Sequence, residues 1–127
     1  MKAKATSACR RAAALLLTLC LLAGPAAARA HANPDHADPR VGSTMTRSPS
    51  RVRIWFDSDL ESAFSSIAVH GPGGARVDSG HGHVDPSDSK LLEVDVPQLA
   101  RGAYRVTWIV VARDGHRTSG DYTFTIK

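Results

Sequence analysis

From about residue 51 onward, apolar and polar residues alternate in short runs. Val52, Ile54 and Phe56 alternate with Arg53 and Trp55, and Ile67 and Val69 alternate with Ala68 and His70. Leu92, Val94 and Val96 alternate with Glu93 and Asp95. Tyr104 to Val111 forms the longest run, and Tyr122, Phe124 and Ile126 close the chain between Thr123 and Thr125. A period of two in β-branched and aromatic residues, bounded by Gly, Pro, Asp and Ser, predicts half-buried strands. A further short strand is expected at Ala75-Arg76-Val77, after the turn signal Gly71-Pro72-Gly73-Gly74.

The rest is punctuated by turn residues. Residues 31–50 carry Asn33-Pro34, Asp38-Pro39, Gly42-Ser43 and Ser48-Pro49-Ser50, which suits an extended, partly irregular start. Residues 71–90 are rich in Gly, Ser, Asp and Pro and read as a loop or a weak hairpin. No window sustains a helical period; Asp59 to Ser66 has room for a single helical turn at most. About seven short strands in one domain predict an all-β fold, an antiparallel Greek-key β-sandwich of the immunoglobulin/cupredoxin-like kind. A small closed barrel is the alternative.

Composition changes this picture once its distribution is considered. The 127-residue chain has a net charge of +4 and two cysteines, the profile of a small basic protein that binds nucleic acid. Five of the 16 basic residues and none of the 12 acidic ones fall in residues 1–30, so residues 31–127 carry 11 against 12, a net −1. Cys9 and Cys20 also lie in the first thirty, and all six histidines lie beyond. That first segment has the layout of a secretory signal: Lys2, Lys4, Arg10 and Arg11, an apolar run from Ala12 to Ala23, a Gly24-Pro25 break, and Ala28-Arg29-Ala30. The run falls short of the ~20 apolar residues of a membrane span. Cleavage after Ala30 is expected, with residues 31–127 exported to the periplasm or secreted and His31 as the new N-terminus. The exported part has no cysteine, so a packed core must hold it without disulfides. No nucleic-acid motif or basic patch remains in it.

Candidate chemistry begins at that new terminus. An N-terminal His offers its α-amine and ring Nδ1 to one metal in a single chelate ring. Cu(II) binds nitrogen most strongly among divalent first-row metals and accepts tetragonal N,O ligation. Asn33 stands third from the proposed cleavage point, where a simple peptide-nitrogen copper motif needs His, so the fold must supply the other ligands. Asp114-Gly115-His116 follows the longest strand. In extended geometry its Asp and His face one side. Asp-Gly is equally a common hairpin turn, so the motif reads either as a metal-binding pair or as a surface turn. His81-Gly82-His83 and nearby His70 read as a second metal site or as solvated loop residues; His36 reads as a neighbour of His31 or a bystander. Trp55, Trp108, Tyr104 and Phe124 read as core or cross-strand pairs, with Trp55 the most exposed. No nucleophile elbow, phosphate loop or paired-carboxylate site is present in the sequence.

With these residues in view, the chain resembles the CopC domain family. The resemblance rests on His31-Ala32, Pro39 and Gly42, Trp55-Phe56, Gly102 to Val111, Asp114-Gly115-His116, Gly120 and Tyr122-Thr123-Phe124, and spans essentially all of residues 31–127. It implies an exported copper-binding β-sandwich of the copper resistance and homeostasis systems, which works beside, or fused to, the membrane protein CopD. It also implies a Cu(II) site made of His31, Asp114 and His116. Some members add an acidic residue two positions after the Phe that ends the early strand. That position is Ser58 here, flanked by Asp57 and Asp59. Members with a Cu(I) site carry a Met-rich loop, whereas Met45 is the sole methionine after residue 30, so the resemblance is to the Cu(II)-only type.

The expectation is a monomeric, non-enzymatic protein that sequesters Cu(II) or carries it to a CopD-like inner-membrane protein. Two other classes compete. A metal-free immunoglobulin-like interaction module would bind copper no better with His31 and His116 than without them. A copper oxidase of the histidine-brace type would oxidise insoluble polysaccharide, although so small a domain offers little room for a flat substrate face.

Overall fold

The computed structural model describes residues 31–127. The expected signal segment and the expected cleavage point after Ala30 lie outside the described residues. Eight strands run in chain order: β1 (Pro34–Asp38), β2 (Thr44–Met45), β3 (Arg51–Phe56), β4 (Ser66–His70), β5 (His83–Asp85), β6 (Asp88–Asp95), β7 (Gly102–Val111) and β8 (Arg117–Ile126). They form two four-stranded sheets, β1-β3-β6-β5 and β2-β8-β7-β4. All pairings are antiparallel except the short β2–β8 contact, which is parallel. The expected β-sandwich is therefore the observed architecture.

The period-two runs place the core. Val52, Ile54 and Phe56 of β3 and Leu92 and Val94 of β6 face Ile67, Val69, Val106, Val110, Phe124 and Ile126 of the other sheet, all buried. Phe56 meets Trp108 edge to face at 5.2 Å, and Tyr104 stacks on Phe124 at 5.5 Å. Such aromatic pairs add geometric preference to area burial. The Tyr104 hydroxyl donates to the Ala100 carbonyl at 2.7 Å, so this buried phenol is satisfied. Gly120 lies opposite Trp108 across the β7–β8 pair. A Cβ there would stand 2.6 Å from Trp108 Cζ2, so the indole lies flat over β8 only because that residue has no side chain. Trp55 is on the outer face, stacked against His36 at 4.4 Å with the Arg53 guanidinium above it.

The structure departs from the sequence expectation at the sheet margins. β1 and β2 lie in the stretch expected to be partly irregular. β1 is an edge strand with a nearly all-exposed pattern, so no apolar alternation marks it. Of the two readings of residues 71–90, the hairpin is the one observed, as β5–β6, with β6 running on to Asp95. Asp85 Oδ1 accepts from the amides of Ser87 (2.6 Å) and Asp88 (3.1 Å), closing the turn by side chain rather than by apolar pattern. β8 begins at Arg117, well before the apolar alternation at Tyr122. Residues 75–77 form only an isolated bridge between Arg76 and His70. The anticipated helical turn is a 3-10 turn at Ser62–Phe64.

That bridge shields the open edge of β4. Asp78, with its side chain fully buried, accepts from the amides of Val69 and Gly80, each at 2.7 Å, and from Arg76 Nε at 2.8 Å. The Val77 amide donates to the Val69 carbonyl at 2.9 Å. Covering an edge in this way removes a template for pairing with other chains. Burial alone would push the Asp78 carboxyl up. The Arg76 side chain and the amides of Val69 and Gly80 outweigh burial and hold it below its ordinary value of 3.8.

Asp78→Ala strands two amides and one guanidinium, and about 2–3 kcal/mol of stability should be lost near neutral pH. Because the folded carboxyl is the stronger acid, this contribution is complete above about pH 4 and fades as pH falls through the folded value. Urea midpoints of the parent and Asp78→Ala should therefore differ most near neutral pH, and the gap should narrow as pH falls below 3.8 and through the lowered folded value. A gap that persists unchanged in acid would contradict the assignment.

Candidate metal centre

One end of the sandwich gathers the start of the described chain, the end of β3 and the β7–β8 turn. The turn is held by backbone bonds: the Ala112 amide donates to the His116 carbonyl at 2.9 Å, and the Gly115 amide to the Ala112 carbonyl at 2.8 Å. Gly115 adopts φ +92°, a left-handed conformation that a side chain would strain. Asp114 Oδ1 accepts the His116 amide at 2.9 Å and lies 3.1 Å from His116 Nδ1. Asp114 and His116 thus share one side because the chain turns there, not because they alternate along an extended strand. The surface-turn reading and the shared-side reading describe the same residues.

His31 reaches this turn from the other sheet. Its ring meets that of His116 edge to face, with centroids 4.9 Å apart. The Asp114 carboxyl is held below its ordinary value, chiefly by the His116 amide, then by the His116 ring and the nearby charge of His31, against an opposing desolvation effect. The three residues singled out in the sequence therefore lie together. No three His, Cys, Asp or Glu side chains among the described residues form a preformed metal cage. Asp114 Oδ1 is engaged by His116, and the two imidazoles meet edge-on rather than converging on one point.

The arm that carries His31 is tied down over its next two residues. Ala32 is fully buried, and its carbonyl accepts the Thr118 hydroxyl at 2.7 Å. The Asn33 amide donates to Asp57 Oδ1 at 2.8 Å, and the Asp57 amide returns a bond to the Asn33 carbonyl at 3.0 Å. Asn33 Nδ2 donates to Asp57 Oδ2 and to the His31 carbonyl, both at 3.2 Å. The Asn33 amide, helped by its side chain and by Ser58, holds the Asp57 carboxyl below its ordinary value despite partial desolvation. Ser58 Oγ also points to Asp57 Oδ1, at 3.2 Å. Asp59 turns the other way, accepting Ser89 Oγ at 2.5 Å and facing Arg113 at 3.9 Å. Sequence inspection singled out Asp57, Ser58 and Asp59 but missed the bond network with Asn33 and Thr118.

The other histidines have different partners. His36 stacks on Trp55 and bonds Asp35 at 2.9 Å through Nδ1. His70 lies 3.3 Å from the Gly74 carbonyl and 3.4 Å from Thr107 Oγ1. His83 takes the His81 carbonyl at 3.0 Å through Nδ1 and faces Glu93 at 3.4 Å through Nε2. Glu93 is nearly buried and also bonds Arg51 at 3.2 Å, so that carboxylate is already paired with a guanidinium.

Comparison with known proteins bears on the family and the fold. The CopC domain model matches residues 35–127. Protein YobA of Escherichia coli K12 is 33% identical over 99 residues, covering 77% of this chain and 80% of that protein. Copper resistance protein C of Escherichia coli is 30% identical over 120 residues, covering 88% of this chain and 94% of that protein. The crystal structure of CopC from Methylosinus trichosporium OB3b superposes with a TM-score of 0.71 at 31% identity, covering 76% of this chain and 94% of that one. With the family model spanning nearly all described residues and the sandwich shared with a solved member, the chain belongs to the CopC domain family.

Proposed function

We propose that this protein is an exported Cu(II) carrier that sequesters the ion or passes it to a CopD-like inner-membrane protein, acting as a monomer and without catalysis. Its ligands are the His31 amine and Nδ1, the His116 ring and the Asp114 carboxylate, once a signal peptidase has cut after Ala30. The observation that carries this reading is the meeting of His31, Asp114 and His116 at one end of the sandwich. Membership of a family that includes a copper resistance protein supports the choice of metal. Hard and borderline nitrogen and oxygen donors favour Cu(II), whereas Cu(I) prefers thioether or thiolate, and Met45 is the sole sulfur-bearing residue after residue 30. Amine and imidazoles must shed protons to bind, so affinity should fall as pH falls.

The test combines the intact mass of the exported protein with a Cu(II) competition titration. The mass should correspond to a chain starting at His31. One Cu(II) per chain should bind saturably and show an EPR spectrum of tetragonal type with nitrogen coupling. Unchanged Cu(II) affinity in the double variant His31→Ala, His116→Ala would overturn the reading and favour a metal-free interaction module.

A further inference from the structure

We propose that Asp57 and Thr118 are positioning residues that pre-set the His31 arm for the metal, and that Asp57 is not itself a ligand. The proposal rests on the Cu(II) reading above. Both nitrogens of the chelate belong to a single residue at the chain end, and chain ends are ordinarily poorly ordered unless tied down. Here every peptide unit that sets the direction of His31 is held. Asn33 Nδ2 holds the His31 carbonyl at 3.2 Å, and the Thr118 hydroxyl holds the Ala32 carbonyl at 2.7 Å. The Ala32 side chain is sealed in the core. Asn33 itself is clasped by Asp57 through three bonds: amide to Oδ1 at 2.8 Å, Nδ2 to Oδ2 at 3.2 Å, and the returned Asp57 amide to the Asn33 carbonyl at 3.0 Å.

The two anchors have different origins. Asp57 immediately follows β3, whereas Thr118 sits on β8, two residues beyond His116. The Thr118 hydroxyl therefore joins the His31 arm directly to the strand that bears the other imidazole. Both carboxylate oxygens of Asp57 are committed to Asn33, and Oδ1 also receives Ser58 Oγ. This assigns Asp57 an orienting role, comparable to that of the outer partners that hold metal-ligating side chains in place. Asp59, paired with Ser89 and Arg113, belongs to neither role.

The test uses the processed chain beginning at His31; the described residues 31–127 close a core of their own. Four variants are compared with the parent: Asp57→Ala, Thr118→Val, Thr118→Ser, and a chain with one alanine ahead of His31. Asp57→Ala should bind Cu(II) about 10- to 100-fold more weakly and release it correspondingly faster to a chelator. Thr118→Val should show a loss toward the low end of that range, about 10-fold, and Thr118→Ser should restore binding. At saturation, the EPR spectra of Asp57→Ala and Thr118→Val should match the parent, because the ligand set is intact. Merely lowered fold stability leaves affinity unchanged at temperatures where the variant is fully folded. Should Asp57→Ala fail to fold, Asp57→Asn keeps an acceptor for the Asn33 amide but loses the bond from Asn33 Nδ2. A smaller loss of affinity than for Asp57→Ala is then expected, and parent-like affinity counts against the role. Parent-like affinity in both Asp57→Ala and Thr118→Val overturns the positioning role. A changed saturated spectrum confined to the Asp57 variant makes Asp57 a direct ligand, which also overturns it. If the alanine-extended chain binds Cu(II) as the parent does, the amine is not a ligand, and the proposal falls together with the reading on which it rests.

Discussion

One alanine added ahead of His31 should weaken Cu(II) binding by more than about 100-fold. The extension leaves every side chain in place but turns the α-amine of His31 into a peptide amide. An amide nitrogen gives up its proton far less readily than an ammonium, and metal ligation requires a deprotonated donor. The His31 ring then binds alone, without the chelate partner on its own residue. Changes to outer partners of a metal ligand typically cost about 10- to 100-fold. Removing a nitrogen that binds the metal directly should exceed that range, and each further tenfold corresponds to about 1.4 kcal/mol. Competition titrations against a chelator of known strength would measure the difference, with EPR reporting the number of coupled nitrogens. His116→Ala serves as the companion: it should lose affinity on the same scale while keeping the chelate. Equal binding by the extended and processed chains would remove the amine from the site. Under the proposed cleavage after Ala30, the same comparison has a physiological counterpart, because the precursor carries thirty residues on that nitrogen. Copper loading would then follow export and processing.

The largest loss of stability is expected at Phe124. Its side chain is 1% exposed and stacks on Tyr104, its cross-strand partner in the β7–β8 pair. Truncation to alanine removes both the transfer free energy of the ring and its packing, a cost of about 3–5 kcal/mol. A domain of this size has about 5–15 kcal/mol in total. Residues 31–127 contain no cysteine, so no disulfide narrows the unfolded ensemble of this domain. A fall of about 15–30 °C in Tm follows from the usual scaling for a domain of this length. Phe124→Leu refills most of the space and should cost about 1–1.5 kcal/mol. Calorimetry or near-ultraviolet circular dichroism of the metal-free protein would report both. A drop below about 1 kcal/mol for Phe124→Ala would mean that the Tyr104–Phe124 stack contributes little to the core.

Much of the framework was legible in the chain itself. Val52, Ile54 and Phe56, or Tyr122, Phe124 and Ile126, reveal their buried face because strand periodicity is a local property: every second side chain meets the core whatever the strand pairs with. The margins were less legible for the same reason. β1 is an edge strand with little buried surface, so its residues Pro34 to Asp38 carry no alternation to detect. The β5–β6 hairpin is closed by Asp85 accepting two amides, a side-chain device that left composition undecided between a loop and a weak hairpin. The edge-shielding role of Asp78 was invisible, because a buried aspartate in a polar stretch looks like any solvated one.

The candidate site divides in a similar way. Asp114-Gly115-His116 is a local motif, and its shared side follows from a turn of a few residues. His31 was singled out by its place after Ala30 and by family resemblance, not by any pattern that pairs it with His116. The sequence by itself determined the all-β class, the core faces of the main strands and the residues with metal-binding chemistry, because each depends on side-chain type and short-range spacing. Only the tertiary structure decided that the His31 ring meets His116, that Asp57 clasps Asn33 across 24 residues, and that Thr118 holds Ala32 across 86. Those contacts join segments that become neighbours only after two sheets have packed. Their geometry is set by the sum of long-range burial, which no local run of residues encodes.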